Sequence, residues 1–127
     1  MTFIEAIKSC FKKYFSIKGR ASRSEYWWFQ AFFIPSFLFV TLATEAENLA
    51  NASESIIWFY VACLVVVLLS MIPLITVTIR RFHDTNKSGW YFFLGLIPFI
   101  GSLIVTAMMI PEGTKGKNKY GGNPLKK

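Results

Sequence analysis

The chain has 127 residues, 54% of them hydrophobic and 17% aromatic, with a formal charge of +7. Its apolar residues come in blocks of about 20, the length that crosses a ~30 Å hydrocarbon core, whereas a soluble domain interleaves them with polar residues at a period near 2 or 3.6. That excludes an ordinary soluble domain, and on a membrane protein the positive charge points to anionic lipid rather than to nucleic acid.

Residues 2–15 carry a helical stripe of Phe3, Ile7, Cys10, Phe11 and Tyr14, with Lys8, Lys12 and Lys13 elsewhere on the wheel. This predicts a short amphipathic helix, either lying on anionic lipid or packing on the other segments. After the turn at Lys18-Gly19-Arg20, Ser22 and Glu25 have capping-box spacing and predict a first span over 23–43. Tyr26, Trp27 and Trp28 stand where an aromatic belt belongs, and Pro35 interrupts the middle of the span. The first loop holds Glu45, Glu47 and Glu54 and no Lys or Arg. A second span follows over 56–79, containing Pro73, and then a polar stretch, 80–90. A third apolar segment occupies 90–110, with Pro98 and Gly101 at its centre, and 111–127 read as a polar tail.

The predicted fold is one all-α integral membrane domain, a short amphipathic helix followed by three transmembrane helices. Lys8, Lys12, Lys13, Lys18, Arg20 and Arg23 flank the first span, and Arg80, Arg81 and Lys87 follow the second. The N-terminus and the 80–90 hairpin are therefore expected in the cytoplasm and Glu47 outside. Three full spans place Lys115, Lys117, Lys119, Lys126 and Lys127 on the outer side, against the charge rule. A re-entrant third segment turning at Pro98–Gly101 removes that conflict, but leaves backbone groups at the turn that protein must cover. Three spans are the expected arrangement, because early segments usually dominate orientation.

Two motifs carry a resemblance. Residues 19–29, Gly-Arg-Ala-Ser-Arg-Ser-Glu-Tyr-Trp-Trp-Phe, and residues 80–90, Arg-Arg-Phe-His-Asp-Thr-Asn-Lys-Ser-Gly-Trp, are similar to signatures of the small bacterial inner-membrane proteins of domain-of-unknown-function family 805. The tail from Gly113 to Gly121 resembles the C-terminal signature of that family, which often continues Pro-Asp-Pro where this chain has Gly122-Asn123-Pro124. The resemblance covers nearly the whole chain. It implies a multi-pass protein of the bacterial plasma membrane and no particular activity.

With one His and two distant Cys, no metal centre can be assembled, and no nucleophile motif or phosphate loop is present. No catalytic residue and no cofactor is expected. Arg80, Arg81, His83, Asp84 and Lys87 form the candidate binding site, because guanidinium forks at a helix C-terminus suit phosphate or carboxylate. The structural alternative pairs Glu25 and Asp84 with Arg23, Arg80, Arg81 and Lys87 and uses Ser22 and Ser88 as caps, with Arg20 in the same structural set. The expected partners are the bilayer and its anionic lipids, a second copy, or another membrane protein. The runner-up function is a small pore or holin-like protein, disfavoured because no ionisable residue lies deep in a span.

Overall fold

The computed structural model describes residues 1–45 and 50–126; Glu47 and Lys127, used above to assign sides of the membrane, lie outside the described residues. Among the described residues the order is α1 (Phe3–Lys12), α2 (Arg23–Glu45), α3 (Glu54–Asp84), a 3₁₀ segment Gly89–Leu96, and α4 (Gly101–Met109). Among the described residues there is no β-strand, only an isolated bridge between Asn118 and Gly121.

A true capping box starts α1. Thr2 Oγ1 accepts from the Glu5 N–H at 3.3 Å, and Glu5 Oε2 accepts from the Thr2 N–H at 2.8 Å. The helix buries Ala6 and Cys10 against α2 and α3, the packed alternative, and leaves Phe3 and Ile4 exposed. Just beyond its end, the Tyr14 hydroxyl donates to the Leu69 carbonyl at 2.8 Å and ties the turn to α3.

Helices α2 and α3 pack along each other through a core that includes Phe29, Phe33, Val40, Val67 and Val77. Both helices continue through their prolines, Pro35 and Pro73. Both are long and apolar enough to cross a membrane. The 31 residues of α3 rise about 46 Å, more than a ~30 Å hydrocarbon core requires.

Two expectations are corrected. The helix that carries the second apolar run extends past Ile79 to Asp84, so Arg80 and Arg81 lie on its last turns as expected, and His83 and Asp84 join them there and not in a hairpin. It ends in a Schellman motif built on Asn86, which takes φ of 59°: the Asn86 N–H donates to the His83 carbonyl and the Lys87 N–H to the Phe82 carbonyl.

Residues 90–110, expected as a third span interrupted at Pro98 and Gly101, instead fold back on themselves there. Ser88 Oγ caps the 3₁₀ segment by accepting from the Trp90 N–H at 3.4 Å. Pro98 disfavours helix at Ile97, whose ψ is 121°. The chain turns through Phe99, and α4 then packs against the 3₁₀ segment. Gly101 makes the crossing feasible, since a Cβ there would collide with the Leu94 carbonyl and approach the Gly95 carbonyl carbon to 3.0 Å. The arms reach only about 16 Å and 14 Å, so neither spans a bilayer alone. The 3₁₀ arm packs on α3 along one side and leaves Trp90, Phe93 and Leu96 exposed.

Candidate functional site: a buried ion network at the C-terminal end of α3

The buried charge among the described residues gathers around the last turns of α3. Arg80, Arg81, His83 and Asp84 are buried there, together with Arg20 from the preceding turn and Glu25 from α2. Helical spacing explains the first contact, because Arg81 and Asp84 are three residues apart and share a face.

One half of the network is centred on Asp84. Its Oδ1 accepts from Arg20 Nε at 2.9 Å and its Oδ2 from Arg81 Nη1. Both guanidinium groups then hold the tail. Arg20 Nη1 donates to the Gly116 carbonyl at 2.6 Å and the Gly121 carbonyl at 3.3 Å, and its Nη2 donates to the Thr114 carbonyl at 2.6 Å. Arg81 donates from Nη2 to the carbonyls of Met109 and Pro111, and from Nε to Met109. The Thr114 N–H donates to the Asp84 carbonyl at 2.8 Å, and the Ala21 N–H to the Arg80 carbonyl at 3.0 Å. Residues 19–21, the end of α3 and 109–121 are thus fastened into one unit.

His83 belongs to the same clasp. Its Nδ1 lies 3.1 Å from the Gly19 carbonyl, which can only accept, so Nδ1 carries the proton. Tyr120 stacks flat on the imidazole with centroids 3.9 Å apart, and Asn118 Nδ2 donates to the His83 carbonyl at 2.9 Å.

The other half is centred on Glu25. Its Oε1 accepts from Arg80 Nη1 at 2.7 Å and from Ser9 Oγ at 3.0 Å, with Lys13 Nζ at 3.9 Å. Only half of the expected capping box on α2 forms. Ser22 Oγ accepts from the Glu25 N–H at 3.2 Å, but the carboxylate turns to Arg80, a charged partner, instead of reaching back to Ser22. Arg80 Nε and Nη2 are buried and have no acceptor among the described residues.

Cys10 Sγ lies 3.9 Å from Glu25 Oε1. Burial, and then the Glu25 carboxylate, push this thiol up to about 12. The folded chain therefore keeps a proton that the unfolded chain releases above the ordinary thiol value. The stability this contributes is complete below that value and is lost as pH rises towards 12. Cys10 is expected to resist a maleimide at pH 8 in the folded protein and to react once the protein is denatured; equal rates in the two states would contradict its protonated, enclosed setting.

Of the sequence candidates, Arg80, Arg81, His83 and Asp84 come together, while Lys87 lies apart and half-buried in the turn after α3. Arg23 is exposed and pairs with Glu112 at 3.8 Å, not with Glu25 or Asp84. Ser9, Cys10, Asn118, Tyr120 and the tail carbonyls were not anticipated as members of the network. The one sequence signal for the last group was the family-like run from Gly113 to Gly121. Among the described residues, no three His, Cys, Asp or Glu side chains gather as a metal site.

Such a chain, all-helical with two helices able to cross a membrane and a polar clasp at one end, defines a class of small helical proteins before any particular family. It belongs to the family described as "Protein of unknown function (DUF805)", whose model matches residues 14–122. It is similar to the inner membrane protein YhaI of Escherichia coli (strain K12), 32% identical over 118 residues that cover 91% of this chain and 92% of the relative. It is also similar to the inner membrane protein YhaH of the same strain, 36% identical over 117 residues covering 89% and 90%. A third relative, the uncharacterized protein YiiR, is 29% identical over 133 residues covering 84% of each chain. No solved structure matches.

Proposed function

We propose that this chain is a non-enzymatic inner-membrane association module that crosses the bilayer twice, through α2 and α3, with both ends in the cytoplasm. Residues 89–109 dip into the cytoplasmic leaflet and return. The observation that carries this reading is the clasp: Arg20 and Arg81 together hold the carbonyls of Met109, Pro111, Thr114, Gly116 and Gly121, so the tail shares a face with the N-terminal turn.

Charge supports it. Every Lys and Arg lies before position 24, between 80 and 87, or beyond 114, and the segment between the two spans has none. Two spans place all of that charge on one side and remove the conflict that three spans create. The names of YhaI and YhaH supply the inner membrane as the location.

In this reading the buried arginines build the cytoplasmic face, and contact with lipid or an acidic partner falls to exposed cations such as Lys8, Lys12, Lys18, Arg23 and Lys115. The test is cysteine accessibility in intact cells, with Cys10 and Cys63 replaced by Ala. Leu125→Cys is expected to stay protected from an impermeant maleimide while Ser53→Cys reacts. Labelling at both positions would put the tail outside and restore three spans.

A further inference from the structure

A pocket of about 420 Å³ opens between the start of α2 and the tail, within the ~300–1,000 Å³ range of small-ligand sites. The groups on its wall that matter are Ser22, Arg23, Ser24, Asp84, Glu112 and Lys115. A simple count gives two cations and two carboxylates, which would cancel. The geometry removes that balance. Asp84 is flanked by the guanidinium groups of Arg20 and Arg81, one on each carboxylate oxygen, so its negative charge on that wall is already compensated. Arg23 and Lys115 are exposed cations, and Glu112 is an exposed carboxylate whose contact with Arg23 is a loose 3.8 Å. The hydroxyls of Ser22 and Ser24 lie 3.0 Å apart and hydrogen-bond each other, which leaves one hydroxyl proton to donate beside them.

Two exposed cations with a hydroxyl donor suit a phosphate, and the exposed Glu112 carboxylate, held only loosely by Arg23 at 3.8 Å, suits a cationic group attached to that phosphate. Depth narrows the ligand further. Trp27 and Trp28, both exposed, follow within one helical turn, and such residues settle at headgroup level. We propose that this pocket holds the headgroup of an aminophospholipid, with its phosphate at Arg23, Lys115 and a serine hydroxyl and its primary ammonium at Glu112. The inference rests on the two-span placement above, which brings the tail to this face.

A primary ammonium can donate to Glu112, whereas a choline has no N–H and a glycerol headgroup has no cation. The purified protein is therefore placed in nanodiscs of equal parts phosphatidylethanolamine, phosphatidylcholine and phosphatidylglycerol, re-extracted in mild detergent, and its retained lipid read by mass spectrometry. Phosphatidylethanolamine is expected to be enriched about fivefold over each of the others, the size one net hydrogen bond gives. Glu112→Gln should abolish the enrichment while phospholipid is still retained. Arg23→Gln with Lys115→Gln should lower all retained phospholipid. These side chains are exposed and outside the clasp, so an unchanged unfolding midpoint certifies each variant as folded.

Retention in proportion to supply by the wild type, or undiminished enrichment in Glu112→Gln, overturns the proposal. Loss of bound lipid to equimolar soluble phosphoethanolamine overturns it in favour of a free phosphate ester. Labelling of Leu125→Cys from outside would instead overturn the two-span placement, so the two failures are told apart.

Discussion

Gly113→Ala is expected to lower stability by about 3–5 kcal/mol, the cost of breaking a buried ion pair by displacing one partner. A Cβ at Gly113 would occupy the position of the Asp84 carboxylate. That carboxylate cannot move away cheaply, because its two oxygens hold Arg20 and Arg81, both buried. Displacing it leaves two enclosed guanidinium groups without their counter-charge and loosens the tail carbonyls they support. Gly122 is the control: a Cβ there would meet nothing within 4 Å, so Gly122→Ala should change stability by no more than about 0.5 kcal/mol. The readouts are the unfolding midpoint in detergent and the rate of trypsin cleavage at Lys115, Lys117 and Lys119. A double-mutant cycle isolates the cause. Asp84→Ala makes room for the new methyl group, so Gly113→Ala should cost little more in that background. If the two losses simply add, the steric account of Gly113 is wrong.

Much of the frame was legible from local pattern. The apolar blocks marked α2 and most of α3, Ser22 and Ser88 marked caps, and Pro98 with Gly101 marked the break in the third segment. The end of α3 lies beyond the end of its apolar run at Ile79, because nothing obliges a helix to stop where its apolar residues do. Asn86, the left-handed residue of a Schellman turn, stops the helix at Asp84, five residues beyond the apolar run.

The tail was legible only in part. Its Gly, Lys and Asn composition reads as polar turn-like chain with little regular structure, which is what it is, but its fastening depends on Arg20, which is 94 to 101 residues away from the carbonyls it holds. No periodicity records a contact of that kind. The pairing was also only partly legible. Glu25 with Arg80 and Asp84 with Arg81 follow from opposite charge at one membrane depth, but charge alone could not show that Arg20 completes Asp84 while Arg23 turns to Glu112.

The neighbouring arginines are expected to respond differently to lysine. Arg81 uses all three guanidinium nitrogens, for Asp84 and the carbonyls of Met109 and Pro111. A lysine ammonium is a compact charge on a flexible stem and cannot span those acceptors. Arg81→Lys should therefore strand at least one buried acceptor and cost about 2 kcal/mol or more, with faster tryptic release of the tail. Arg80 engages Glu25 through Nη1 alone, and its other two nitrogens are buried with no acceptor among the described residues. A lysine can keep the single charged contact and discard the donors that gain nothing. Arg80→Lys should thus stay within about 1 kcal/mol of wild type, since the stranded donors it removes are themselves a burden. Positive charge is unchanged in both variants, so orientation cannot explain a difference between them. A charge exchange must also respect the observed pairs: Arg80→Glu with Glu25→Arg should recover part of what either change loses, whereas Arg81→Glu with Glu25→Arg should not, because those two side chains belong to different halves of the network. Equal losses for Arg80→Lys and Arg81→Lys would mean that Arg80 also works through its full fork, and the division of the clasp into two halves would have to be redrawn.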